Sequence, residues 1–416
     1  MADVMAAAGF SAIPPLVARS EFPLLARSDI DGRSVIYLDS AASAQKPQVV
    51  LQRQRDFYET GYANIHRGVY PLSEAATEDY EAARSTVARF LKAQPHEIVF
   101  TRSATEAINL VANSYAATFL QPGDEILVSL LEHHANFVPW QALAQRLGFV
   151  LRVAPITESG ELDLDGFQKL LSPRTKLVCV TAAANTLGTI TPVERLVALA
   201  HAAGAKILID AAQAAPHGLA DVQRWGCDFL AFTGHKLYGP DGIGVLFGKA
   251  GLLAAMPPWQ FGGDMIRSVR LDGTDFAEAP QKFEAGTPPI GAAIGLASAI
   301  TFLEAVNVAE IQRHDQALLA YATDRLTEIP GLTLIGQPQQ RVGILSFTLD
   351  GVHPHDAGSL LGAENICVRT GFHCAQPLMD HLGLTGTIRA SFGLYTGSAD
   401  IDRLAETLAK VRQILG

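Results

Sequence analysis

Seven short apolar runs punctuate the first two thirds of the chain: Glu97–Thr101, Glu125–Ser129, Phe149–Val153, Lys176–Thr181, Ala205–Asp210, Asp228–Thr233 and Gly244–Phe247. They are near-continuously hydrophobic rather than alternating, the pattern of strands buried on both faces of a parallel sheet. Between them lie Ala/Leu/Glu-rich stretches with helical character, such as Glu106–Thr118, Pro139–Leu147 and Pro192–Ala203. Upstream, Leu72, Ala75, Ala76, Ala83, Val87 and Leu91 recur near helical spacing over a charged remainder, which predicts an amphipathic helix over 72–91. Strands alternating with helices predict an α/β fold whose ligand site lies at the carboxyl ends of the strands.

After about residue 296 the pattern changes. A long helical stretch over 297–329 leads to a strand pair, Thr333–Ile335 and Val342–Leu349, and the chain closes in a helix over Asp400–Leu415. This predicts a smaller α+β domain, and a chain of 416 residues exceeds what one core normally supports. The expected division is an N-terminal arm over 1–35 that partly joins the small domain, a large domain over 36–296, and a small one over 297–416. Residues 1–18 contain no Lys or Arg, so they read as a mobile arm and not as a targeting signal.

Composition narrows the function. The formal charge of −10, with no basic run, disfavours nucleic acid and anionic membrane as partners. Apolar stretches are interrupted well short of a membrane span. The four cysteines, Cys179, Cys227, Cys367 and Cys374, form no C-x-x-C pair, which fits a reducing cytoplasm.

Candidate chemistry gathers at the predicted strand ends. AKILIDAAQA ends a strand at Asp210, with Gln213 just beyond; DFLAFTGHKLYGPDGIG ends another at Thr233, His235 and Lys236. Taken singly, Asp210 is a helix cap and Lys236 a solvated loop lysine. Together, at the ends of neighbouring parallel strands, they place a carboxylate and an amine on one crevice. A lysine amine is a nucleophile toward an aldehyde cofactor, and a carboxylate keeps a pyridine nitrogen protonated. Arg102-Ser103-Ala104-Thr105-Glu106 opens a helix after a strand, where free N–H groups suit a phosphate. Cys179 sits in a buried run, whereas Cys374 has Arg369, Thr370, Gly371 and His373 around it. Cationic neighbours favour a thiolate, the nucleophilic form of a cysteine.

The motifs LDSAASAQKP (38–47), NIHRGVYPLS (64–73), RSATEAINLVA (102–112), EHHANFVPWQ (132–141), IDAAQA (209–214), TGHKLYGPDGIGVL (233–246), FEAGTPP (283–289), VRTGFHCAQPLM (368–379) and IRASFGLYT (388–396) resemble cysteine desulfurases of the SufS/CsdA kind. These are class-V aminotransferase-type pyridoxal 5′-phosphate enzymes. The resemblance implies the aspartate-aminotransferase-like fold: a large, mainly parallel seven-stranded sheet domain plus a smaller α+β C-terminal domain. It implies Lys236 as the Schiff-base lysine, Asp210 on the pyridine nitrogen, Gln213 near the phenolic oxygen and His134 stacked on the ring. His134 would also share in the early proton transfers. Ala104, Thr105, Thr233 and His235 would contact phosphate, with Thr287 contributed by a second subunit of a homodimer. Asn185, Arg389, Arg369 and His66 would bind substrate L-cysteine, and Cys374 would accept its sulfur. A SufE- or SufU-like acceptor and iron–sulfur cluster assembly are implied in turn, with no metal in the site.

Rival readings remain at this level. A selenocysteine lyase or another pyridoxal enzyme shares most of these residues. The adjacent His133 and His134 suggest a metallohydrolase, but neighbouring side chains diverge and lack zinc-ligand spacing. A sulfur-relay scaffold would need Cys374 alone.

Overall fold

The computed structural model describes residues 12–27 and 32–416. All seven apolar runs are strands, within a residue or two of the expected bounds: β1 Ile98–Thr101, β2 Glu125–Ser129, β3 Val150–Ala154, β4 Thr175–Thr181, β5 Lys206–Asp210, β6 Phe229–Thr233 and β7 Gly244–Gly248. They form one sheet in the order β1-β7-β6-β5-β4-β2-β3. Pairing is parallel except at β7, which runs antiparallel to both neighbours. Every residue of β1, β2, β6 and β7 is buried, because helices cover both faces; only the edge strand β3 is substantially open.

This topology positions the site. β5 and β6 are parallel neighbours, with Asp210 opposite Ala231, so Asp210 and the turn after Thr233 share one edge. Gly244 pairs with Thr233 on one side and Thr101 on the other. The turn after β1 therefore joins the same edge.

Four further strands, β8 Leu332–Ile335, β9 Ile344–Leu349, β10 Arg369–Gly371 and β11 Thr387–Ser391, form a second sheet in the order β8-β9-β11-β10. It has its own core, in which Phe347, Ile388 and Leu408 are fully buried. An exposed hairpin, Ile266–Arg270 with Gly273–Phe276, was not anticipated. Its strands expose most of their residues and carry no buried stripe to mark them.

Two expectations need correction. The stretch over 297–329 is two helices, Ile290–Val306 and Val308–Thr327, bent by 76°. Asn307 breaks them: it takes φ 78° and its side chain accepts from the Ala309 N–H as an N-cap. No single helix among the described residues is long and apolar enough to cross a membrane. The expected mobile arm is, over residues 12–18, bonded in place. Ile13 and Ser398 exchange hydrogen bonds, and Val17 N–H donates to Leu394 O. Arg19 pairs with Asp400 at 2.9 Å, and Phe22 is fully buried edge-on to Tyr395. Residues 1–11 lie outside the described residues.

We propose to redraw the domain border accordingly. The expected point at 296/297 falls inside the helix Ile290–Val306, which packs on Gln48–Asp56 and Pro71–Leu91. The change of partner comes at Asn307, since Val308–Thr327 packs on the terminal helix Ser398–Leu415. Ile36 and Leu38 also sit in the smaller core, with Ile36 paired to Ile366.

Candidate active site

The carboxyl ends of β4, β5 and β6 open onto a cavity of about 270 Å³. Lys236 enters it from a tight turn after β6. Gly234 opens that turn because a Cβ there would lie 2.5 Å from Ile243 Cγ2. Burial pushes the Lys236 ammonium down to about 8; Asp210 opposes that shift while Arg389 adds to it. Asp210 is buried, and one of its oxygens accepts from the Ala212 N–H at 2.9 Å. Burial raises its carboxyl, and a cation alongside would hold it ionised.

Across the cavity, Ser103 caps the helix beginning at Ala104 by accepting from the Glu106 N–H. The first N–H groups of that helix have no intrahelical acceptor, which suits an anion. β7 reaches this turn only because residue 244 is glycine: a Cβ would sit 2.3 Å from the Ser103 carbonyl carbon. Thr233 and His235 complete this wall with Thr105. Arg102, by contrast, points outward and pairs with Glu106.

The smaller sheet supplies the remaining wall. Arg389, on β11, is buried; it donates from Nη1 to Asn185 O at 2.8 Å and from Nη2 to Asp39 at 3.1 Å. Arg369, on β10, pairs with the same carboxylate at 3.0 Å. Cys374 is exposed on the loop after β10 and lines the cavity. Three cations therefore face the space: Lys236, Arg369 and Arg389. Its histidines are held neutral, since burial first, and then the cations, push His133 and His373 to about 3 and His235 to about 4. Four buried side-chain atoms among the described residues lack a partner, and Asn185 Oδ1, His373 Nδ1 and Arg389 Nε belong to residues on this wall. Orphaned polar atoms in a cationic cavity fit a polar, anionic ligand.

Comparison with known proteins gives the same direction. The family profile described as aminotransferase class-V matches residues 36–404. The chain belongs to that family. A cysteine desulfurase of Dickeya dadantii is 51% identical over 400 residues, covering 96% of this chain and 97% of its own. One from Pectobacterium atrosepticum is 50% identical, with 96% and 98% covered. The solved Escherichia coli cysteine desulfurase CsdA superposes with a TM-score of 0.89 at 41% identity, covering 96% of this chain and 98% of that one. The Thermococcus onnurineus cysteine desulfurase gives 0.91 at 38% identity, with 98% and 100% covered.

Within this class-V chain, the structure gathers Lys236, Asp210, Ala104, Thr105, Thr233, His235, Asn185, Arg369, Arg389 and Cys374 around one cavity. Four sequence candidates are not on its wall. His134 turns away, and His133 lines the cavity instead. The reason is the turn: His133 caps the short helix His134–Asn136 through Nδ1, which accepts from the Ala135 N–H. Glu132, fully buried, locks that turn by accepting from Ser129 Oγ, Asn136 Nδ2 and Thr181 N–H. Gln213 donates to Ala41 O at 2.7 Å and borders a small pocket behind Lys236. His66 pairs with Glu81 at 3.1 Å, away from the cavity. Thr287 is exposed on the segment before Ile290, where its side chain is available to another molecule.

Two groups escaped the sequence reading. Asp39 clamps both arginines, and Lys46 bonds to the His235 carbonyl at 3.2 Å. Both lie in the LDSAASAQKP motif, whose length was the available signal. Asn185 carries one of the unpartnered atoms. Its Nδ2 is committed to His373 O at 2.7 Å, so the free atom is an acceptor. As placed, that atom suits an N–H or O–H of a ligand. Arg389 Nε, also without a partner, suits a carboxylate. Arg389→Ala is therefore expected to raise KM for an amino-acid substrate by about 10²-fold, the loss of a charge-assisted hydrogen-bonded pair. An unchanged KM would remove Arg389 from substrate binding.

Proposed function

We propose that this chain is a cysteine desulfurase, taking sulfur from L-cysteine, leaving L-alanine and carrying the sulfur as a persulfide on Cys374. The observation that carries this reading is a single cavity holding Lys236 and Asp210 on one side and the exposed thiol of Cys374 on the other. A lysine and a carboxylate alone would serve many reactions of this fold; the thiol has a use only where a heteroatom is transferred.

Pyridoxal 5′-phosphate, when bound, supplies an electron-accepting ring for chemistry at an amino acid's Cα. Lys236 would hold it, Asp210 would face its pyridine nitrogen and His133 its ring face. The phosphate falls to the N–H groups and side chains at Ala104, Thr105, Thr233 and His235, with Thr287 of a second copy. Arg389 anchors the substrate carboxylate. Lys236, with its ammonium pushed down to about 8, is a base available near neutral pH for the Cα proton. The Cys374 thiolate attacks the substrate sulfur. The Cβ–S bond breaks as the S–S bond forms, and the bonding pair stays on the carbon skeleton. That skeleton is protonated at Cβ, regains its Cα proton from Lys236, and leaves as L-alanine.

A homodimer is part of the same reading. Tyr58, Tyr62, Val69, Tyr70 and Leu72 are exposed apolar or aromatic side chains, as are Phe261 and Leu271, and a second copy could cover them. A cytoplasmic setting, a SufE- or SufU-like acceptor and iron–sulfur cluster assembly complete the proposal. Cofactor-loaded protein given L-cysteine is expected to form alanine and a one-sulfur mass increment on the peptide containing Cys374. Alanine without that increment, or neither product, would overturn the assignment.

A further inference from the structure

We infer that His134 is a positioning residue that holds the Cys374 loop in its reactive shape. The inference deepens the proposed desulfurase reading and reassigns a histidine that does not face the cavity. Two neighbouring non-glycine residues in this loop are left-handed, His373 at φ 53° and Cys374 at φ 56°. L-residues avoid that region, and two in succession persist only when surrounding contacts over-determine them.

Those contacts are visible. His134 N–H donates to the Cys374 carbonyl at 2.7 Å. The His134 ring turns toward the same loop, and its Nε2 accepts from the Gln376 N–H at 3.1 Å. One residue thus grips the backbone on both sides of Ala375. Asn185 Nδ2 holds the preceding carbonyl, that of His373, at 2.7 Å. Within the loop, Ala375 N–H donates to Phe372 O at 2.9 Å. Accepting at Nε2 places the ring proton of His134 on Nδ1. The two adjacent histidines divide the labour: His133 faces the cavity and His134 the loop. Their rings are 6.3 Å apart and inclined at 51°, so they share no focus.

Cys374 is exposed, and this backbone grip sets the direction in which its side chain leaves the loop. Loosening the grip would therefore lower the fraction of time in which the thiolate meets the substrate sulfur in line. Substrate binding, which rests on Arg389, would be untouched.

The test compares His134→Ala with His134→Gln in the cofactor-loaded protein, because a glutamine oxygen can accept where Nε2 does. Amide hydrogen exchange across residues 372–380 is expected to speed up several-fold to about tenfold in His134→Ala, the loss of one hydrogen bond. It should return toward the parent rate in His134→Gln. In parallel, kcat for sulfide release falls in His134→Ala at unchanged KM, and His134→Gln recovers part of it. Unchanged exchange in His134→Ala, or a His134→Gln variant no better than alanine, would overturn the inference. So would loss of the bound cofactor's absorption in His134→Ala, which would return this residue to the cofactor. If the parent protein forms no sulfide at all, the desulfurase reading fails on its own, and the exchange comparison still decides the role of His134.

Discussion

Lys236→Ala is expected to lose the visible absorption of bound cofactor after dialysis free of amino acids, and to lower turnover of L-cysteine by at least about 10³-fold. Two losses combine. The side chain is the one amine among the described residues that lines the cavity, so no neighbour can take over the anchor. It is also the proposed base at Cα, and a positioned general base contributes about 10²–10⁴-fold. Arg389 and Arg369, the other cations, cannot be deprotonated and serve neither purpose. The fold should survive, since the turn is set by backbone bonds, Gly234 N–H to Ile243 O and Leu237 N–H to Gly234 O, which alanine leaves intact. Absorbance and steady-state alanine formation are the measurements. A retained visible band in the dialysed variant would refute the anchor.

Cys374→Ser separates the two halves of the site. Cofactor absorption and its response to added L-cysteine should be unchanged, because Lys236, Asp210 and Arg389 remain. Sulfide release in the presence of a thiol reductant should fall by about 10³-fold or more, since a serine hydroxyl is a weak nucleophile without a base beside it. The nearest imidazole in sequence, His373, is committed through Nε2 to Thr387 Oγ1 at 2.8 Å. Burial and the two arginines also push it to about 3. It would not activate a serine in time with the substrate. Undiminished sulfide release would move the sulfur-accepting role to another group and would leave the loop geometry around residue 374 without its proposed purpose.

How the site assembles explains which parts could be read in advance. Asp210 and Lys236 were recognisable because one ends and the other follows a strand whose apolar run is unmistakable. Parallel neighbours necessarily bring their carboxyl ends to one edge. Thr105 meets Thr233 at the same edge because β1 and β6 both run antiparallel to β7 between them and so share one direction. The histidine pair escaped such rules. Adjacent residues diverge, and which of the two enters the cavity depends on a turn locked by Glu132 reaching Thr181, on another strand. Asp39 escaped for a similar reason. Its role as a clamp on Arg369 and Arg389 needs residues 39, 369 and 389 to meet, and that meeting depends on long-range pairing at Ser391.

The sequence by itself determined the seven strands, the α/β class and the residue types at the strand ends, since local periodicity and strand direction are properties of short segments. It also carried the family resemblance, because long collinear motifs survive as text. Only the tertiary structure decided that Asn307 breaks the predicted long helix and that residues 12–18 are bonded down. It alone showed that His133 faces the cavity while His134 grips the Cys374 loop. Those outcomes turn on where a side chain finds its hydrogen-bond partner, and the partner is fixed by packing between segments far apart in the chain.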